Sequence, residues 1–134
     1  MRIAVISAPA QSRGIPDYVR ALAKGMESMG HQVDILDARS EEGFRLPAYT
    51  YIAVSAEAVS LFGGKMPEAL PKFLSLSNIT GKKGAAFLKK RGPFTTKALV
   101  NLMRAMEKEG MLVNWSEIIL NAPHAESLGK RIGA

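Results

Sequence analysis

The chain has 134 residues, of which 47% are hydrophobic and 22% charged, as is usual for a folded domain and unlike a disordered chain. It contains no cysteine, which excludes disulfides, thiolate nucleophiles and thiolate metal ligands. No apolar run reaches the roughly 18 residues of a membrane span, and the first residues lack the order of a signal peptide. We expect one cytoplasmic domain over residues 1–134, without membrane contact.

The net charge of +6 is unevenly distributed along the chain. Residues 1–80 contain eight basic and eight acidic side chains, whereas residues 81–134 contain ten basic and four acidic ones. This asymmetry favours an anionic ligand or partner near the second half, although scattered solubilising lysines would give the same count. No known nucleic-acid-binding motif accompanies the basic residues, so we expect no nucleic-acid partner.

Short apolar runs alternate with segments of helical periodicity. Ile3–Ile6 predicts a strand buried on both faces. The next segment places four apolar residues on one helix face: Val19, Leu22, Met26 and Met29. Pro16 suits the first position of this helix and Gly30 its end. The pattern predicts a strand, a loop and a helix.

The same alternation continues through the middle of the chain. His31–Asp37 and Tyr51–Ser55 have the composition of the second and third strands. A second helix is predicted from Pro67, ending near Asn78, and Lys83–Leu88 reads as a fourth strand. Helices between nearly all strands indicate a parallel sheet covered on both faces.

The last third of the chain predicts one more helix, one more strand and a short terminal helix. Thr95 or Thr96 is expected to cap the third helix, whose core face is formed by Leu99, Leu102, Met103 and Met106. Met111–Leu120 predicts the fifth strand, and a short helix follows from Pro123. We predict an α/β three-layer sandwich with a five-stranded parallel sheet in the order 2-1-3-4-5, the flavodoxin-like order.

In such sheets ligands bind beyond the carboxyl ends of the strands, where the strand order reverses. Three loops are therefore expected to meet at one edge: residues 7–16, 55–66 and 89–95.

The first of these loops resembles a known one. Ile6–Pro16 aligns without a gap on the I-S-G-S-P-R-K-N-G-N-T pattern typical of the reductase branch of the flavodoxin and NADPH-dependent FMN reductase superfamily. The similarity continues through Gly30–Asp37, Gly64–Pro67, Gly81–Ala85 and Leu128–Ile132. The chain resembles a divergent member of this superfamily, which implies a flavodoxin-like fold.

The resemblance also implies non-covalent binding of FMN, because the first loop of those proteins wraps the FMN phosphate with amide N–H groups near a helix N-terminus. The implied phosphate-binding residues are Gln11, Ser12, Arg13, Gly14 and Ile15. The implied contacts to the flavin ring are Glu57, Ala58, Val59, Phe62 and Gly63. The implied closure of its other edge is Lys89, Lys90, Arg91 and Gly92.

The first loop departs from the family pattern at two positions. Ile15 and Pro16 replace an Asn and a Thr, so one hydroxyl and one N–H are absent. Gln11, Ser12 or Arg13 can supply donors in another arrangement.

The second and third loops depart as well. Phe62 is the local ring able to stack on a flavin, or it belongs to the core. Lys89–Arg91 replaces a small, glycine-rich segment; these three cations favour an anion and would raise the reduction potential of a bound flavin, or they are solvated surface.

Other chemistries find no support in the sequence. His31 and His124 lack companions at metal-ligand spacing, so we expect no metal. A nucleophile elbow, a G-x-G-x-x-G motif and a phosphate-binding P-loop motif are also missing, and we assign no catalytic side chain.

The leading hypothesis is an FMN-binding electron-transfer protein with a redox partner protein. The alternatives are a flavodoxin-like scaffold that has lost FMN and binds another small anion or a protein, or an NAD(P)H-dependent flavin or quinone reductase. If the protein is an enzyme, it is expected to be an FMN-dependent oxidoreductase.

Overall fold

The computed structural model describes residues 1–10, 14–40, 42–59 and 64–132. Within them, five strands and four α-helices alternate: β1 (Arg2–Ala8), α1 (Asp17–Ser28), β2 (Gln32–Asp37), β3 (Tyr51–Ala56), α2 (Ala69–Ser75), β4 (Lys83–Lys89), α3 (Thr95–Lys108), β5 (Leu112–Ile119) and α4 (Ala122–Gly129). A 3-10 helix, Glu42–Ala48, which the sequence analysis did not predict, lies between β2 and β3.

All strand pairs are parallel, and the sheet order is β2-β1-β3-β4-β5. The predicted fold class and strand order are therefore confirmed. The three central strands are apolar runs buried on both faces, as expected for strands covered by helices on each side. The register aligns Ala8 with Ala56 and Ala56 with Leu88, so these three strands end side by side.

Alternate residues of each strand enter two separate cores. Ile3 and Val5 of β1 belong to the core beneath α1 and α4, whereas Ala4 and Ile6 belong to the core beneath α2 and α3. The first core also contains Phe87, whose ring meets the Trp115 ring edge to face at a centroid distance of 5.2 Å. We call these the α1/α4 face and the α2/α3 face of the sheet.

The two helices on the α1/α4 face touch backbone to backbone. A Cβ on Gly25 would lie 2.1 Å from the Glu126 carbonyl oxygen, and a Cβ on Gly129 would lie 2.2 Å from the Leu22 carbonyl oxygen. Glycine at both positions is what allows this approach, because any side chain would separate the helices.

Three local predictions differ from the structure. Met29 is 51% exposed, because α1 ends at Ser28 and the predicted apolar face does not extend past it. Pro16 precedes the first helical residue. Thr95 does not cap α3. Its hydroxyl donates to the Gly92 carbonyl oxygen at 3.0 Å and so stabilises the preceding turn.

The beginning of α4 shows a cap that the sequence analysis missed. The side-chain oxygen of Asn121 accepts a hydrogen bond of 2.9 Å from the His124 N–H. Asn is among the best residues for this position, so the signal was present in the sequence.

Candidate functional site

The candidate site lies at the carboxyl ends of β1, β3 and β4, where the three predicted loops begin. The structure places residues 57–59 beside residues 89–92 and beside the start of the first loop. Five predicted site residues lie outside the described part of the chain: Gln11, Ser12, Arg13, Phe62 and Gly63. The remaining nine can be located.

Glu57 forms the centre of this region. It follows β3 and lies on the α1/α4 face, and its backbone N–H donates to the Ala8 carbonyl at 3.1 Å. Its Oε1 accepts from the backbone N–H of Ala10, at 3.3 Å, and its Oε2 accepts from the Tyr18 hydroxyl, at 2.5 Å. A carboxylate of the protein itself therefore occupies an amide donor of the first loop.

Tyr18 supports this carboxylate from the first turn of α1. The side chain is only 4% exposed, and burial, followed by the hydrogen bond and negative charge of Glu57, raises the pKa of Tyr18 far above its usual value. Tyr18 therefore remains a neutral donor at physiological pH. The Lys89 ammonium lies 5.8 Å from the centre of its ring, where a cation is attracted by the aromatic face.

Two buried hydroxyls lie one row deeper on the same face. Ser7 and Ser55 are neighbours in the β1–β3 register, both are 0% exposed, and neither hydroxyl has a hydrogen-bond partner among the described residues. Buried hydroxyls without partners are uncommon, since each costs roughly 1–3 kcal/mol. The interior beneath Glu57 and Tyr18 is thus polar and incompletely satisfied.

The third loop is fastened to the second by Arg91. Its Nη1 donates to the Ala58 carbonyl at 2.9 Å, and its backbone N–H donates to the Thr95 hydroxyl at 3.1 Å. Gly92 turns the loop with a φ of 69°, a left-handed conformation that favours glycine. Arg91 therefore uses part of its donor capacity to hold the second loop in place.

The other cations and the first-loop residues differ in their surroundings. Lys90 projects its side chain from the surface, while its backbone N–H donates to the Ile119 carbonyl at 2.8 Å. Gly14 is exposed, and Ile15 packs against the α1/α4 core. Ile15 thus contributes packing rather than a polar contact.

The second loop closes on itself through backbone contacts. The Val59 N–H donates to the Lys65 carbonyl at 2.8 Å, and the Asn101 side-chain amide donates to the Gly64 carbonyl at 3.0 Å. Val59 is exposed, with 39% of its surface accessible. It lies at the margin of the candidate site, with its side chain exposed.

A pocket of about 410 Å³ adjoins these loops on the side of β2. Its lining joins the first loop, the end of β2, the second loop and the start of α2: Ala8, Pro9, Ala10, Ala38, Arg39, Val59, Pro67, Glu68 and Ala69. Arg39 is held by two side-chain hydrogen bonds to Asp37, of 3.0 and 2.8 Å, which lower the pKa of that carboxyl.

Two residues of this region, Tyr18 and Arg39, were not predicted from the sequence. Tyr18 was hidden because its place in the apolar first helix suggests core packing only. Arg39 was hidden in a polar connection, although β2 ends at the same edge as β1, a signal that the predicted strand order already contained.

Metal and membrane sites are not indicated by the described residues. They contain no cluster of three or more His, Asp or Glu side chains able to hold a metal ion. None of their helices combines the length and apolar composition needed to span a bilayer.

Solved flavodoxin structures are similar to this chain over nearly its whole length. A Bacillus cereus flavodoxin is 17% identical with a TM-score of 0.72, covering 96% of this chain and 95% of its own. A flavodoxin from the domain Archaea is 23% identical, with a TM-score of 0.70 and coverages of 98% and 96%. A Streptococcus pneumoniae flavodoxin is 13% identical, with a TM-score of 0.74 and coverages of 97% and 97%.

The fold is therefore flavodoxin-like, and the low identities mark the chain as divergent from these three proteins. No family model and no curated protein matches the sequence.

The candidate site has features that suit a phosphate group. The backbone N–H of Ala10 donates to the Glu57 carboxylate, so this donor of the first loop is directed at an acidic group. Lys89 and Arg91 bring positive charge to the same edge, and the unpartnered hydroxyls of Ser7 and Ser55 lie beneath it. The residues present thus fit a phosphate-bearing group.

Proposed function

We propose that this chain binds FMN at the carboxyl edge of its sheet and transfers electrons to or from a protein partner. The observation that carries the proposal is the first-loop amide of Ala10, which holds a carboxylate beside two cationic side chains within a flavodoxin-like fold. When bound, FMN supplies the redox chemistry of its ring, so no catalytic side chain is required.

Three groups of residues would hold FMN in this proposal. Residues 11–15 would bind the phosphate, residues 57–63 would contact the ring, and residues 89–92 would close its other edge. Arg91 would act in part indirectly, because its hydrogen bond to the Ala58 carbonyl fixes the position of the second loop. Lys89 would add positive charge close to Tyr18.

A second candidate function is supported by the same carboxylate. Glu57 fills a donor that a phosphate would use, and Pro16 offers no N–H at the start of α1. These features favour a flavodoxin-like scaffold that has lost FMN and binds another anion or a protein. An NAD(P)H-dependent flavin or quinone reductase is a third candidate, since such enzymes also use a bound flavin.

The test is the visible absorption spectrum of the purified protein, followed by titration with FMN. We expect bound flavin or saturable FMN binding, and a colourless protein that binds no FMN at high micromolar concentration would refute the proposal. NADPH oxidation with and without an electron acceptor then separates a reductase from a carrier.

Two matched variants locate the site within this titration. Arg91→Ser should weaken FMN binding several-fold more than Lys90→Ser, because only Arg91 also positions the second loop. Both changes remove one positive charge, so general electrostatics alone would affect them about equally. Equal affinities in the two variants would show that the hydrogen bond from Arg91 to the second loop has no effect on binding.

A further inference from the structure

We propose that the Glu57 carboxylate competes with a phosphate-bearing ligand for the Ala10 N–H and the Tyr18 hydroxyl, and must move away from them when such a ligand binds. The identity of that ligand as FMN rests on the proposed function. The competition itself applies to any phosphate that uses the same donors.

Both carboxylate oxygens of Glu57 already have hydrogen-bond donors. The two oxygens of Glu57 accept from the Ala10 N–H and from the Tyr18 hydroxyl, which comes from another element. Both groups are donors of the kind that phosphate oxygens require. An N–H or O–H that is committed to the carboxylate cannot serve a second acceptor at full strength, so the ligand and Glu57 compete for them.

A phosphate ligand and the Glu57 carboxylate also carry charges of the same sign. A phosphate monoester carries close to two negative charges at neutral pH and would approach a carboxylate at short range. Two groups of the same sign cannot share one partly buried site without a large loss of free energy. Glu57 has to move away from the Ala10 amide, and its departure frees the Tyr18 hydroxyl to donate to the ligand.

The free-energy cost of displacing Glu57 affects which phosphate ligands can bind. Displacing Glu57 costs its two hydrogen bonds, which lowers the apparent affinity of every phosphate by the same factor. Inorganic phosphate has nothing to offset this loss, whereas a ligand with an aromatic ring gains further contacts at the second and third loops. Glu57 therefore lowers the affinity for free phosphate and for larger phosphorylated compounds alike, and only a ligand with further contacts still binds at low concentration.

The experiment compares Glu57→Gln with the wild-type protein by calorimetric titration with inorganic phosphate and, separately, with FMN. The amide keeps the size of the side chain and removes its charge, so both ligands should bind roughly tenfold more tightly. Glu27→Gln is the matched control, because Glu27 carries the same charge in the exposed last turn of α1, at the opposite end of the helix from Tyr18. It should change either affinity less than about twofold.

Glu57→Ala gives a second test, since the glutamine amide can still hold the Ala10 N–H. It should also tighten phosphate binding, and far-UV circular dichroism with a thermal melt shows that each variant is folded. Unchanged or weaker binding of both ligands by folded Glu57→Gln and Glu57→Ala, or an equal gain in Glu27→Gln, would overturn the proposal.

The two ligands separate this inference from the proposed function. If the variants gain affinity for inorganic phosphate while neither they nor the wild type bind FMN, the competition stands and FMN is the wrong ligand. If the wild type binds FMN and the Glu57 variants bind it no better, FMN stands and the competition is wrong. Failure to bind either ligand in any variant overturns both.

Discussion

Two buried tyrosines on the α1/α4 face lie at opposite ends of the sheet, and their hydrogen-bond partners differ in charge. Tyr18, at the carboxyl end, is 4% exposed and donates to the Glu57 carboxylate at 2.5 Å. Tyr51, at the amino end, is 7% exposed and donates to the side-chain oxygen of Asn114 at 2.7 Å. A neutral amide satisfies a buried hydroxyl at lower desolvation cost than a carboxylate does.

Positive charge and a cavity do not distinguish the two ends. The amino end has a pocket of about 470 Å³ lined by Met1, Tyr51, Lys83, Asn114, Trp115, Arg131 and Ile132. Lys83 and Arg131 give this end cationic side chains as well. What differs among the described residues is the Glu57 carboxyl group held by backbone and tyrosine donors, and for this reason the anion site is proposed at the carboxyl end.

The largest expected effect is on the free energy of unfolding, and it tests whether the two ends of the sheet unfold as one cooperative unit. Phe87 is fully buried on β4, and its ring meets the Trp115 ring edge to face. Phe87→Ala should lower the free energy of unfolding by about 3–5 kcal/mol, since a large buried ring is lost. Urea unfolding followed by circular dichroism and by Trp115 fluorescence measures this loss, and non-coincident transitions would show that the ends unfold separately.

A smaller effect compares the tyrosines directly. Tyr18→Phe leaves a carboxylate without one of its donors and should cost about 2 kcal/mol, whereas Tyr51→Phe leaves a neutral amide and should cost about 1 kcal/mol. Urea unfolding at neutral pH measures both values. A larger loss of unfolding free energy for Tyr51→Phe would contradict the distinction between the carboxyl and amino ends of the sheet.

The smallest effect appears at alkaline pH. Burial raises the pKa of Tyr51 to about 12, above the usual value of about 10, so the folded state retains a proton that the unfolded state releases. Its contribution to stability is intact below about pH 10 and is lost as the pH rises towards 12. Tyr51→Phe should therefore make the alkaline decline shallower by at most about 1 kcal/mol per pH unit, measured by urea unfolding across this range; an unchanged slope would contradict it.

The sequence predicts the fold well because its signals are local and repeated. Apolar runs such as Ile3–Ile6, helical spacing and terminal glycines such as Gly30 agree with one another in every βα unit. The strand order follows from this alternation, and with it the edge where the loops meet. Met29 failed because spacing alone does not reveal where α1 ends.

The internal contacts of the site were beyond such signals. Glu57 was predicted as a ligand contact, yet its bonds to Ala10 and Tyr18 join positions 47 and 39 residues apart along the chain. Similarly, the Lys-Lys-Arg run gives no hint that Arg91 turns towards the Ala58 carbonyl while Lys90 remains in solvent. Loop geometry and burial decide these partners, and neither has a period in the sequence.

The close contact between Gly25 and Gly129 has a consequence for the order of assembly. Tyr18 belongs to α1, whose outer side is completed by α4 at the far end of the chain. Contacts between such distant positions form late in folding, because a long loop must close first. During synthesis, the face that carries Tyr18 therefore stays incomplete until α4 has been made.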